Sequence, residues 1–220
     1  MDPKFLLNRY LLNRRIVDGW KFQFLPYGGG PENEEYFKEF ILKEGHCFID
    51  IGTNTGGWTV QASRFYDQVY GFEANPLIQE VLENNLSLNR IHNVISYPIA
   101  VGDKEEKKDL LIYSKNGQDS FLPYHVGLHS TDRKIQVQIE TLDSFLLEPD
   151  VIKIDTEGYE IPVIKGGMET IAHSKPVLCI ETHDEKDSDI IQSILPDYSW
   201  IHKERINENG KQNILIGKIS

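Results

Sequence analysis

From residue 46 onward the chain alternates short, unbroken apolar runs with stretches of helical spacing. The runs are HCFIDIG (46–52), VYGFE (69–73), NVISYPIAV (93–101), VIKID (151–155) and VLCIET (177–182). Unbroken runs, unlike alternating ones, predict strands buried on both faces and therefore a parallel sheet. GGWTVQASRFYD (56–67) and PLIQEVLENNLSLN (76–89) predict crossover helices, the second with Pro76 in its first turn. Residues 160–172 predict one or two more helices. The end of the chain differs. DYSWIHKE (197–204) and QNILIGK (212–218) flank Glu208-Asn209-Gly210, a hairpin signal. The expected fold is α/β: seven strands, mostly parallel, ending in an antiparallel pair.

Residues 102–150 are too long for a simple crossover. KDLLIYS (108–114) and KIQVQIE (134–140) alternate like half-exposed strands, which predicts a β-rich insertion with a polar loop over 115–133. TLDSFLLEP (141–149) reads as a short helix capped by Thr141 or Asp143. Ahead of the main pattern, Phe5, Leu6, Leu11, Leu12 and Ile16 have a loose helical spacing. PYGGGP (26–31) then breaks any element, and Tyr36, Phe37, Phe40 and Ile41 share one face of a helix over 32–44. This divides the chain into a helical N-terminal extension, 1–45, and a main domain, 46–220. The extension and the 115–133 loop are expected to frame one opening.

Composition narrows the function. The chain has 220 residues, 40% hydrophobic and 26% charged, and no apolar run long enough to span a bilayer. Two cysteines, Cys47 and Cys179, lie inside predicted central strands and read as buried and reduced, and no secretory signal opens the sequence. Both point to the cytoplasm. A net charge of −11 repels phosphate backbones and disfavours nucleic acid as a partner, although residues 1–22 carry Lys4, Arg9, Arg14, Arg15 and Lys21.

Asp50-Ile51-Gly52-Thr53-Asn54-Thr55-Gly56-Gly57 joins the first strand to the first helix. Its glycines permit a tight turn and close approach of a ligand to backbone amides at a helix start. Glu73 ends the second strand, where an acid receives both ribose hydroxyls of a nucleoside. Dinucleotides favour G-x-G-x-x-G. Here an acid precedes the first glycine by two residues, which opposes a pyrophosphate and suits a cationic ligand. S-Adenosylmethionine, with its sulfonium and ammonium, is the cofactor this favours.

IDIGTNTGGWT (49–59), YGFEANP (70–76), AVG (100–102), ETLDSF (140–145), VIKIDTEGYE (151–160) and the run ending in Glu181 resemble the FkbM family of methyltransferases. The resemblance covers residues 46–182; the family's E-P-N-P reads Glu73-Ala74-Asn75-Pro76 here. It implies a class I methyltransferase sheet and methyl transfer to oxygen, often a hydroxyl of a sugar, a glycan or a sugar-like small molecule. It also implies a cofactor site at Asp50, Gly52, Asn54, Gly56, Glu73, Ala74, Ala100 and Asp155. A protein, lipid or RNA acceptor, or a non-catalytic cofactor-binding module, are the alternatives.

Lys153-Ile154-Asp155-Thr156-Glu157-Gly158-Tyr159-Glu160 leaves the sheet at its carboxyl end, and Glu181-Thr182-His183-Asp184 leaves the next strand at the same edge. An alcohol is a poor nucleophile and needs alignment and a base. Asp155, Glu157 and His183 are the catalytic candidates, with His183 a base whose ordinary pKa lies near 6.5. Asp155 suits base, acceptor ligand or donor contact. Lys153, within an apolar strand, either pairs with an acid such as Asp50 or reaches the site. Glu160 reads as a capping or pairing residue. Asp155, Glu181 and His183 form a set that a divalent ion would accept, but no tight ligand spacing calls for one, so a metal is not favoured.

Overall fold

The computed structural model describes residues 13–17, 19–24, 35–112, 119–121, 133–207 and 210–219. In chain order the elements are β1 (Asn13–Val17), β2 (Trp20–Phe24), α1 (Glu35–Ile41), β3 (Gly45–Ile51), α2 (Gly57–Ala62), β4 (Tyr66–Phe72), α3 (Pro76–Leu88), β5 (Val94–Tyr97), β6 (Ala100–Val101), β7 (Glu106–Ile112) and β8 (Arg133–Glu140). A 3-10 turn (Leu142–Phe145) leads to β9 (Val151–Ile154), α4 (Glu160–Gly166), α5 (Met168–Ser174), β10 (Val177–Thr182), α6 (Glu185–Ile194), β11 (Ser199–Asn207) and β12 (Gly210–Lys218).

The unbroken apolar runs become the middle of a seven-stranded sheet ordered β11-β12-β10-β9-β3-β4-β5. Pairings from β10 to β5 are parallel. β12 runs antiparallel to both β10 and β11, and the β11–β12 register pairs Asn207 with Gly210. Strands buried on both faces need cover on both. Ile49, Ile152 and Ile180 pack under Val163, Ile164, Ile171 and Ile191 of α4 to α6. On the other side Phe48, Val151 and Cys179 meet Phe37, Phe40 and Ile41 of α1. At about 25 cal/mol per Å2 of apolar surface, these two layers supply the main stabilisation. Both cysteines are buried free thiols, and burial raises Cys47 to about 11.

The insertion is a second sheet, β6-β8-β7, as the alternating runs predict. The run over 93–101 does not form one strand. β5 belongs to the large sheet and β6 to the small one. Pro98, between them, has no N–H to donate, and the ladder ends there. α2 ends at Ala62, well short of residue 67, because β4 starts at Tyr66 and seats that ring on Phe48, centroids 5.4 Å apart. The short helix expected at 141–149 is the 3-10 turn over 142–145. Asp143 caps α5 instead, accepting from Glu169 N–H at 3.1 Å and Thr170 N–H at 2.8 Å.

The N-terminal part corrects the sequence reading. Residues 13–17 are not helical but pair with 20–24 as a hairpin. Phe22 is buried with Val60, Leu82 and Leu86, and Asn85 of α3 and Asn89 at its C-cap bond the backbone of β2. Residues 5, 6, 11 and 12 of that expected helix, and PYGGGP, lie outside the described residues. α1 buries Phe37, Phe40 and Ile41 of the expected face, but Tyr36 is exposed. Among the described residues no helix is long and apolar enough to cross a membrane.

Candidate active site

An open cleft of about 930 Å3, its solvent-filled mouth included, lies beyond the carboxyl ends of β3, β4 and β9. The turn after β3 forms its floor. Gly52 has φ +78°, and a Cβ there would lie 1.8 Å from Asp155 O, so no other residue fits without moving β9. Asn54 follows with φ 50°, and its carboxamide oxygen accepts from Thr55 N–H at 2.8 Å. Gly52, Asn54, Ala74, Ala100 and Asp155 line the cleft, as does Glu73. Gly56 does not. It has φ +90°, and a Cβ would strike Leu82 at 2.5 Å, so its absent side chain serves turn packing on α3.

Glu73 is 8% exposed. Its carboxylate accepts from Asn54 N–H at 3.0 Å and Asn75 N–H at 2.8 Å. Burial pushes its pKa up to about 7, and Asp119 adds to this, while the two amides and Lys153 oppose it. Asn75 caps α3, accepting from Leu77 N–H at 2.9 Å, with Pro76 following as predicted.

Asp50 overturns one expectation. It is fully buried and is not part of the cleft wall. Thr59 Oγ1 donates to it at 2.6 Å, and Lys153 Nζ stands 3.5 Å from its other oxygen. Burial raises its pKa against the pull of Lys153 and Thr59. A carboxylate neutralised in this way does not attract a cationic donor by direct contact, so that electrostatic argument fails. Lys153 satisfies both readings of it. It pairs with Asp50, and it also reaches the cleft, 3.3 Å from Asp155 Oδ2 and donating to Gly52 O at 3.2 Å.

Beyond β9 the chain bends sharply, with φ 53° at Glu157 and 97° at Gly158. Glu160, buried, ties this bend: its Oε1 accepts from Thr156 N–H (3.0 Å), Thr156 Oγ1 (2.9 Å) and Gly158 N–H (3.0 Å). Glu157 thereby faces the cleft, and its carboxylate pairs with His183 Nε2 at 2.9 Å. His183 stands behind Glu157, its side chain 9% exposed and outside the cleft wall. Burial opposes charge on His183, but Glu157, with Asp155 and Glu160, outweighs it and raises the pKa to about 9. The imidazole is protonated at neutral pH, so it is not the free base that a value near 6.5 suggested.

Asp155, Glu181 and His183 do converge, with ligand atoms within 4.8 Å of one another. Two of the three are already charge-compensated, Asp155 by Lys153 and His183 by Glu157. An ion there would have to displace both pairs.

Sequence reasoning missed Asp119, Phe121 and Asn85. Asp119 and Phe121 wall the cleft from the insertion, and nothing in their polar segment marked them. Asn85 is fully buried and donates to Thr55 O at 2.7 Å, tying α3 to the floor. Its position on the apolar stripe with Ile78, Val81, Leu82 and Leu86 was a readable signal. Among the described residues, none before Ile51 walls the cleft, so the extension does not frame it there. Most of 115–133 lies outside the described residues.

The cleft fits a nucleoside-bearing cofactor. Phe72, Ile78, Ile99, Leu110 and Phe121 offer apolar walls, and Glu73 an acceptor for hydroxyls. Solved structures share the fold. FkbM methyltransferase from Methylobacillus flagellatus KT aligns with TM-score 0.59 and 19% identity, over 82% of this chain and 46% of that one. TYW2 of M. jannaschii, in complex with AdoMet, gives 0.57 and 14% over 94% and 84%. Sp1610 of Streptococcus pneumoniae, a putative tRNA (m1A22) methyltransferase in complex with S-adenosyl-L-methionine, gives 0.56 and 10% over 84% and 71%. The chain thus spans about half the length of the FkbM structure it matches. No curated protein sequence matches it. The methyltransferase FkbM domain family matches residues 50–204. The chain belongs to the FkbM methyltransferase family, and its cofactor is S-adenosylmethionine.

Proposed function

We propose that this methyltransferase acts on oxygen, on a hydroxyl of a sugar, glycan or sugar-like small molecule. The observation that carries this is the Glu157–His183 pair at the mouth of β9 and β10, one member facing the cleft and the other buried behind it. When bound, S-adenosylmethionine supplies an electrophilic methyl carbon on a sulfonium. Gly52, Asn54, Glu73, Ala74, Ala100 and Asp155 hold that donor in this reading. Glu157 receives the acceptor hydroxyl's proton as the oxygen–carbon bond forms and the carbon–sulfur bond breaks. His183 orients Glu157.

The charge around Glu157 favours a neutral acceptor. Asp155 and Glu181 converge with His183, which pairs with Glu157, and Lys153 stands beside Asp155. Such a wall repels phosphate and receives hydroxyl donors, which supports a polyol over RNA. The two buried free thiols suit a reducing compartment, the cytoplasm. The test compares glycan and small-molecule pools from cells carrying the wild type, a deletion or Glu157→Gln. A 14-dalton loss on a hydroxyl in both mutants is expected. A loss confined to RNA, or none in either mutant, would overturn the reading.

A further inference from the structure

The segment Asp119-Ser120-Phe121 comes back from the insertion onto the cleft and is held on two sides. Ser120 bridges Leu111, with N–H to O distances of 3.1 and 2.9 Å, and its hydroxyl donates to Glu157 O at 2.7 Å. Phe121 packs on Tyr159 with centroids 4.6 Å apart, and the Lys108 ammonium sits over both rings, 5.3 and 4.5 Å from their centres. Asp119 is thereby fixed in the cleft wall.

Asn75 connects it to Glu73. The Asn75 N–H donates to Glu73 Oε1 at 2.8 Å, and its side-chain Nδ2 donates to Asp119 Oδ2. Two carboxylates, one from β4 and one from the insertion, therefore stand on one wall with a single asparagine between them. Each carboxylate oxygen accepts more than one hydrogen bond, so both acids keep capacity for a ligand. Their mutual repulsion favours a ligand bringing O–H or N–H donors and rejects one bringing phosphate.

We infer that Asp119 is a second hydrogen-bond acceptor for the adenosyl part of the methyl donor, taking a ribose hydroxyl or the adenine amino group beside Glu73. This rests on the cleft being the donor site. The insertion then completes the donor pocket, and Asp119 helps select an unphosphorylated nucleoside.

Calorimetry on the full chain tests it with three probes: S-adenosylhomocysteine, its 2′-deoxyadenosyl analogue and its inosyl analogue. In the wild type, the analogue lacking the group that Asp119 contacts binds about tenfold more weakly than S-adenosylhomocysteine. Asp119→Ala weakens S-adenosylhomocysteine by about the same factor and abolishes the preference over that analogue. Loss of packing alone would weaken all three alike. Asp119→Asn keeps the shape and the bond to Asn75 but turns an N–H toward the ligand, so it folds as the wild type and still binds more weakly. If Glu73→Gln weakens binding while both Asp119 variants keep wild-type affinities and ratios, the inference is overturned and the donor site stands. If the wild type binds none of the probes, the donor site and the inference fall together.

Discussion

Lys153 stands directly opposite Asp50 in the β3–β9 ladder, its ammonium 3.5 Å from Asp50 Oδ1 and 3.3 Å from Asp155 Oδ2. One buried cation thus compensates an acid inside the sheet and an acid on the cleft wall. Breaking a buried pair from one side leaves a charge with no compensation. Lys153→Met is expected to cost about 3–5 kcal/mol in urea denaturation. Adding Asp50→Asn to it should recover part of that loss. A single variant as stable as the wild type would show the pair to be energetically idle.

Gly52 carries the closest approach in the cleft floor. An alanine there meets Asp155 O, and its backbone must hold φ +78°. Gly52→Ala is expected to lose about 1–3 kcal/mol or more and to bind S-adenosylhomocysteine at least tenfold more weakly. Gly19 also has a positive φ, but nothing lies within 4 Å of its would-be Cβ, so Gly19→Ala should leave affinity unchanged. Equal effects at both positions would contradict the steric argument.

The His183 pKa of about 9 fixes a direction with pH. Raised in the folded state above its ordinary 6.5, the group contributes stability that is fully present below about 6.5 and is lost as pH rises through 9. Glu73, raised to about 7, acts in a lower window, costing stability as pH climbs from its ordinary 4.5 to 7. Wild-type stability should therefore fall from pH 6.5 to 9 more steeply than that of His183→Asn. Methyl transfer should change over the same interval, because loss of the imidazolium charge weakens the pair that orients Glu157. Parallel stability curves, or a rate that levels off near pH 6, would contradict the assignment.

The sheet was legible because burial on both faces leaves no polar alternation in β3, β9 and β10. The C-terminal pair was legible because Asn209-Gly210 separates two apolar runs. The β1–β2 hairpin was not: its apolar positions fit a helix loosely, whereas burial of Phe22 with Val60, Leu82 and Leu86 and the bonds from Asn85 and Asn89 to the β2 backbone favour strands. In the site, the glycine turn, Glu73 and the 155–160 block were readable. Which way each side chain faces was not. Asp50 turns into the sheet and His183 stands behind Glu157 because pairing with Lys153 and Glu157 outweighs exposure, a choice no spacing encodes.

Asp155, Glu181 and His183 have the geometry of a metal set but not the uncompensated charge of one. Excess chelator should leave both S-adenosylhomocysteine binding and methyl transfer unchanged. A tenfold loss restored by magnesium would show that an ion displaces the Lys153 and Glu157 pairs.

Asn85 links the hairpin to the cofactor turn. It accepts from Gln23 N–H at 2.7 Å and donates to Gln23 O at 2.9 Å and Thr55 O at 2.7 Å. Asn85→Ala leaves these backbone groups unpaired, at a cost of about 1–3 kcal/mol. Hydrogen exchange should quicken together in 20–24 and 52–57. Faster exchange in one segment alone would break the proposed link.

In the proposed function the cleft above Gly52 to Gly57 takes S-adenosylmethionine with Glu73 on its ribose. The most direct measurement is calorimetric titration of S-adenosylhomocysteine into the wild type and Glu73→Gln. Micromolar binding to the first and at least tenfold weaker binding to the second are expected. Absence of binding at millimolar ligand, or equal affinity in both proteins, would contradict it.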